Sequence, residues 1–134
     1  MSTEAVHSGS AKWAGLTAVA GRWLVAAPFD APALLIYDAD AADVSGADTE
    51  GVYSGSSKWQ GIAAVGQRAF AAPMDATAML VFDFASSSAF GVPAEQSAST
   101  SRKWSGVAAV AESAMALAVT FEVRRCRKPV NFGC

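Results

Sequence analysis

One stretch of 26 residues, Lys58 to Asp83 (KWQGIAAVGQRAFAAPMDATAMLVFD), returns in close copy from Lys12 and begins again at Lys103. A chain made by repeating one unit has few ways to fold, because each unit must bury its apolar face against the next. The unit starts upstream of the Lys-Trp pair: Glu4, Glu50 and Glu95 each lie nine residues before a repeat Trp, and EAVHSGSAKW matches EGVYSGSSKW throughout. The Trp13 to Trp59 spacing is 46 residues and the Trp59 to Trp104 spacing is 45, the extra residue falling in AVAGR against AVGQ.

Periodicity decides between strands and helices. Gly61 to Val65 is small and apolar, Gly66-Gln67 is a turn pair, Arg68 to Ala72 alternates, and Pro73-Met74-Asp75 breaks the pattern, which reads as strands. Leu34 to Tyr37 and Met79 to Phe82 are short continuous apolar runs closed by Asp38 and Asp83, as expected of strands covered on both faces. The Gly/Ala-rich first strand suits an innermost position, where sheets crowd together. Gly51 to Ser54 is expected to be a fourth, outer strand, with Ala5 to Ser8 as its counterpart at the start. An outer strand near Ala94 to Ser99 and two more within Gly106 to Ala118 would follow. A period in the mid-forties lies within the roughly 40 to 50 residues of a four-stranded propeller blade. The expected fold is therefore all-β, a partial, open β-propeller of about 2.5 to 3 blades. Repeat 1 covers 4–49, repeat 2 covers 50–94, a partial repeat 3 covers 95–121, and a basic tail over 122–134 is expected to be disordered.

Composition supports a folded domain: 134 residues are 52% hydrophobic and 16% charged. Alanine brings little area, so the core depends on Trp13, Trp23, Trp59, Trp104, the phenylalanines and short Leu/Ile/Val runs. Residues 1–123 hold 6 basic and 12 acidic side chains, or -6, while Arg124, Arg125, Arg127 and Lys128 give the tail +4, for a net -2. An acidic body argues against nucleic acid on the repeats; the tail as a localisation or nucleic-acid signal is weighed against a solvated end, and the solvated end is favoured. Glu4 and the lack of an apolar run in residues 1–10 argue against a secretory signal, and Gly106 to Phe121 is short for a membrane span, so a cytoplasmic protein without membrane contact is expected. Cys126 and Cys134 stand outside the repeats, with no second pair for a zinc site and no disulfide framework expected.

Three blocks recur: Lys-Trp-x-Gly-(Ile/Leu)-x-Ala-Val, then Ala-Ala-Pro-x-Asp-Ala, then Leu-(Ile/Val)-(Tyr/Phe)-Asp. Over residues 4–118 this pattern resembles kelch-type and related propeller repeats found in tandem in algal and protist proteins, and is similar to WD-repeat blades. Asp30/Asp38 and Asp75/Asp83, each eight apart, have a layout similar to the turn Asp and strand-ending Asp of WD blades. The Gly-His pair and strand-ending Trp of WD blades and the kelch double glycine are absent. The resemblance implies propeller architecture and says almost nothing about activity.

Candidate binding residues follow from the repeat. Lys12, Trp13, Lys58, Trp59, Lys103 and Trp104 would share one rim of a propeller, as a basic patch for an anionic partner or a stacking surface for a sugar. The competing reading, with Trp packed between blades and Lys solvated, is favoured because Trp supplies most of the buried area in a thin core. Asp30 and Asp75 are read as turn caps acting on their own backbone rather than metal ligands. His7, aligned with Tyr53, is read as filling a strand position rather than acting as a base. No P-loop, dinucleotide fingerprint, nucleophile elbow or HExxH helix is present, so neither catalysis nor a cofactor is expected. The function read from the sequence is a non-catalytic binding or scaffold module with a protein or peptide partner, either part of a larger repeat protein or self-associating to complete the propeller. The alternatives are a piece of a propeller-based oxidase or glycan-processing enzyme, and a lectin-like module taking a glycan.

Overall fold

The computed structural model describes residues 2–94, 104–110 and 120–125, with Val110 and residues 120–125 described by their backbone. The first repeat forms β1 (Trp13–Val19), β2 (Trp23–Pro28), β3 (Ala33–Asp38) and β4 (Asp43–Asp48). The second forms β5 (Trp59–Val65), β6 (Arg68–Pro73), β7 (Ala78–Asp83) and β8 (Ser88–Pro93). Each set is one antiparallel sheet with its strands in chain order, and β9 (Trp104–Val110) and β10 (Thr120–Arg125) form a separate hairpin. The fold is all-β, with one short 3-10 turn, Thr3–Ala5, among the described residues.

The outer strand differs from expectation. It is β4 or β8, whereas residues 51–54 and 5–8 are lead-in turns rather than strands. The chain therefore enters each repeat through a turn and builds its sheet from the inside outward. The physical reason lies at Gly46 and Gly91. A Cβ on Gly46 would sit 2.6 Å from Val6 Cγ1, and one on Gly91 would sit 2.8 Å from Val52 Cγ1. The apolar lead-in residues lie across the outer strand in room left by these glycines. In the third repeat, residues 95–99 and 111–118 lie outside the described residues, and the strand described after β9 is Thr120–Arg125. Glu122 to Arg125 thus belongs to a strand, consistent with its apolar and charged alternation, while the rest of the tail and both cysteines lie outside the described residues.

The first strands stack side by side. Register shifts interrupt β1 between Trp13 and Leu16, and β5 between Trp59 and Ile62. Gly15 and Gly61 take φ of +86° and +81° at these bulges, a conformation that favours glycine. A Cβ on Gly15 would lie 2.9 Å from Gly61 Cα, and one on Gly61 would lie 3.0 Å from Gly106 Cα. Small residues are thus required where β1, β5 and β9 meet.

The core lies between the two sheets. The pairing Thr17–Val25–Ile36–Ser45 and the neighbouring residues Val19, Ala27 and Leu34 define the back face of the first sheet. Ile62–Ala71–Leu80–Gly91 and Ala64–Ala69–Phe82–Ala89 define the front face of the second. These faces interlock into one buried cluster of Val19, Val25, Ala27 and Leu34 with Ile62, Ala69, Ala71, Leu80 and Phe82. In β7, Leu80, Val81 and Phe82 are all buried, as the continuous apolar run predicts. In β3 only Leu34 is buried, because the first sheet is packed on its back face alone.

Candidate functional site

The Lys-Trp pairs stand where each lead-in becomes an inner strand, and their backbone does much of the joining. Lys12 O accepts N–H groups of Phe29 and Ala31, tying the lead-in to the β2–β3 turn of its own sheet. Lys58 O accepts those of Met74 and Ala76 in the same manner. A second set links neighbouring sheets: Lys58 N donates to Phe29 O at 2.9 Å, and Ser57 N donates to Asp30 Oδ1 at 2.7 Å. Asp30 therefore caps the lead-in of the next repeat, 27 residues away, rather than its own turn. Ala11 and Ser57, one residue before each Lys, have φ of +47° and +49°. That left-handed turn, uncommon for a residue with a Cβ, aims the following Lys-Trp inward.

Trp13 and Trp59 make the same hydrogen bond and differ in environment. Trp13 Nε1 donates to Ala33 O at 2.9 Å and Trp59 Nε1 to Ala78 O at 2.8 Å, so each indole spans from first strand to third. His7 meets Trp13 edge-on and Tyr53 meets Trp59 edge-on, with centroids 6.5 and 6.3 Å apart. His7 thus fills the Tyr53 role, from a lead-in turn rather than a strand. Trp59 is fully buried beneath the first sheet, whereas Trp13, with no preceding sheet, is half-buried, as is Trp104.

The lysines do not form a uniform rim. Lys12 is half-exposed, its ammonium 5.9 Å from the Trp13 ring centroid. Lys58 is buried, and its Nζ donates to Gly55 O at 3.0 Å. Burial pulls the Lys58 pKa below its ordinary value, against the opposing pull of Asp30 and Glu50. Lys58 is accordingly a packed stem with an anchored head, not the solvated loop residue expected from the sequence. Lys103 lies outside the described residues.

A second repeated device was not legible in the sequence. Arg22 donates to both carboxylate oxygens of Asp38, at 2.9 and 2.6 Å, and Arg68 donates to Asp83 at 2.9 Å, clasping the first hairpin to the end of the third strand. The hydrogen bonds from Arg22, helped by the Ala41 and Asp40 backbone, hold Asp38 at about 2, and those from Arg68 also lower Asp83. The extra residue of AVAGR moves Arg22 into the turn and puts Trp23 at the register position held by Arg68 in the second sheet. Trp23 then stacks on Phe84 of the second repeat at 4.5 Å, with the Arg22 guanidinium 4.9 Å from its ring. The one-residue difference in period was the available signal.

Among the described residues, no three His, Cys, Asp or Glu side chains converge as a metal site, and no helix is long and apolar enough to cross a membrane. Comparison with known proteins finds no matching family model, curated protein or solved structure. The likeness to kelch-type and WD-type repeats therefore rests on the quoted residues.

Proposed function

We propose that the chain is a non-catalytic binding or scaffold module whose sheets are the blades of an open β-propeller. The observation that carries this reading is the line Gly15, Gly61, Gly106, along which three first strands approach within glycine distance, as inner strands around a common axis do. Later strands of each sheet then run outward and present the same surface at each repeat. At the two outer edges lie corresponding open grooves. One, of about 430 Å3, is lined by Val6, Val44 and Gly46; the other, of about 550 Å3, by Val52, Ala89 and Phe90. Each lies beside an edge strand whose outward backbone groups can pair with an extended peptide, so the partner class is a protein or peptide segment taken in β-conformation.

The test is selection of a displayed random peptide library on the immobilised protein, with a glycan array in parallel. Peptides should be recovered whose binding falls at least about tenfold in Phe90→Ser or Val6→Ser, a loss of about 1.4 kcal/mol. Glycan binding that depends on Trp13, with no peptide recovered, would overturn the peptide reading in favour of a lectin-like one.

A further inference from the structure

The same sequence positions are buried in one sheet and bare in the other. On the front of the second sheet Ile62 is 8% exposed and Ala69 1% exposed, packed against the first sheet. Their equivalents on the front of the first sheet, Leu16 and Leu24, are 63% and 39% exposed. Pairing places these two on one face with Leu35, Tyr37 and Val44, an apolar surface with no sheet on it. Backbone donors repeat the contrast. Ser57 N and Lys58 N bond to Asp30 and Phe29 of the sheet in front, whereas the corresponding N–H groups of Ala11 and Lys12 have no such sheet to meet.

At the opposite end of the stack, the flank of β9 shows the complementary pattern among the described residues. A Cβ on Gly15 or Gly61 would run into the next first strand, but one on Gly106 meets no described atom within 4 Å. One end therefore offers a front face and the other a back flank, of the kinds that already interlock between the two sheets within the chain.

We infer that a second copy of this chain docks head-to-tail, its β9 flank at Gly106 closing on the β1 front face around Leu16 and Leu24. The interface continues the one between the first and second sheets, and its occupant is identified because the surface it must match is the back of another copy of the repeat. Such a contact is heterologous, joining different surfaces on the two partners, so it forms a ring if rotation closes it and a filament if not. Closure rests on the blade reading: two copies, each with two four-stranded sheets and a partial third repeat, make six blade positions, within the usual four to eight of a propeller.

The experiment is sedimentation of the full chain over a hundredfold concentration range, with two variants each dead on one face. Leu16→Glu/Leu24→Glu places charge on the front face without touching the inter-sheet core. Gly106→Val puts a side chain on the flank at a position where a Cβ meets no described atom within 4 Å. Wild type should associate, and each variant alone should sediment as a monomer with the circular dichroism of the wild type. An equimolar mixture of the two should regain a dimer, because each supplies the face the other lacks. Should Leu16→Glu/Leu24→Glu lose its fold, Ala18→Glu, from the same exposed face, takes its place. A monomeric wild type, or Gly106→Val that still associates alone, overturns the proposal. Wild-type growth into filaments, with both variants monomeric, keeps this interface and overturns the blade reading instead.

Discussion

Trp59 and Trp13 occupy one sequence position and differ only in what stands in front of them, so they measure how much a repeat gains from its neighbour. Removing the fully buried indole in Trp59→Ala should cost about 3 to 5 kcal/mol, through lost transfer energy and the cavity left behind. Trp13→Ala should cost clearly less, since its ring is only partly buried. The lysines should follow the same order. Lys12→Ala is expected within about 0.5 kcal/mol of wild type, as for other surface substitutions, whereas Lys58→Ala removes a buried stem and should cost about 1 to 3 kcal/mol. Lys58→Met, which keeps the stem, should recover most of that loss. Urea unfolding of the five variants supplies the comparison, and equal losses for Lys12→Ala and Lys58→Ala would show that the covering sheet adds nothing at this position. The packing role of the tryptophans was legible in the sequence because a large indole repeated in an alanine-rich chain has few other uses. The burial of Lys58 was not, since it depends on the turn at Phe29-Asp30, which lies about thirty residues away in sequence.

Elements were legible where their apolar pattern is continuous or repeated. β7 announces itself as Leu-Val-Phe-Asp because a strand covered on both faces demands a continuous apolar run, and β3 carries the same block by repetition although only Leu34 of it is buried. β4 and β8 read DVSGAD and SAFGVP, mostly exposed, with a glycine where a lead-in valine crosses, and so lack an apolar signature. Val6 and Val52 carry that signature instead, which is why their segments resemble strands in sequence. The Arg22–Asp38 clasp belongs to the same scale, since it ties the β1–β2 hairpin to the end of β3. With its folded-state pKa near 2 against an ordinary value of about 3.9, Asp38 adds stability that is fully present above about pH 4 and is lost as pH falls through about 2. In thermal melts, wild type should exceed Asp38→Asn at about pH 6, and the gap should narrow toward about pH 2. A gap independent of pH would mean that the clasp acts through shape and not through charge.

At the scale of the whole molecule, repeat architecture makes stability a sum over neighbours, and here the neighbours are unequal. The first and second sheets share one cluster in which Val19, Val25, Leu34, Leu80 and Phe82 are all buried, so neither sheet can open without exposing the other's face. Among the described residues, β9 of the hairpin packs against β5 and β6, without third and fourth strands to extend that contact outward. Sub-global opening follows the number of apolar contacts that must be broken, so the hairpin should open at lower free energy than the sheets. Native-state hydrogen exchange should accordingly show amides of β2, β3, β6 and β7 converging on a single opening free energy, with those of β9 and β10 well below it. Leu34→Ala, in the first sheet, should lower the protection of β6 and β7 by the same amount as that of β2 and β3, about 2 to 5 kcal/mol for a buried leucine. Confinement of the loss to the first sheet would show two independent units and contradict the shared core. Protection of β9 equal to that of β6 would instead place the hairpin in the same cooperative block, with the three first strands and their glycine line opening together.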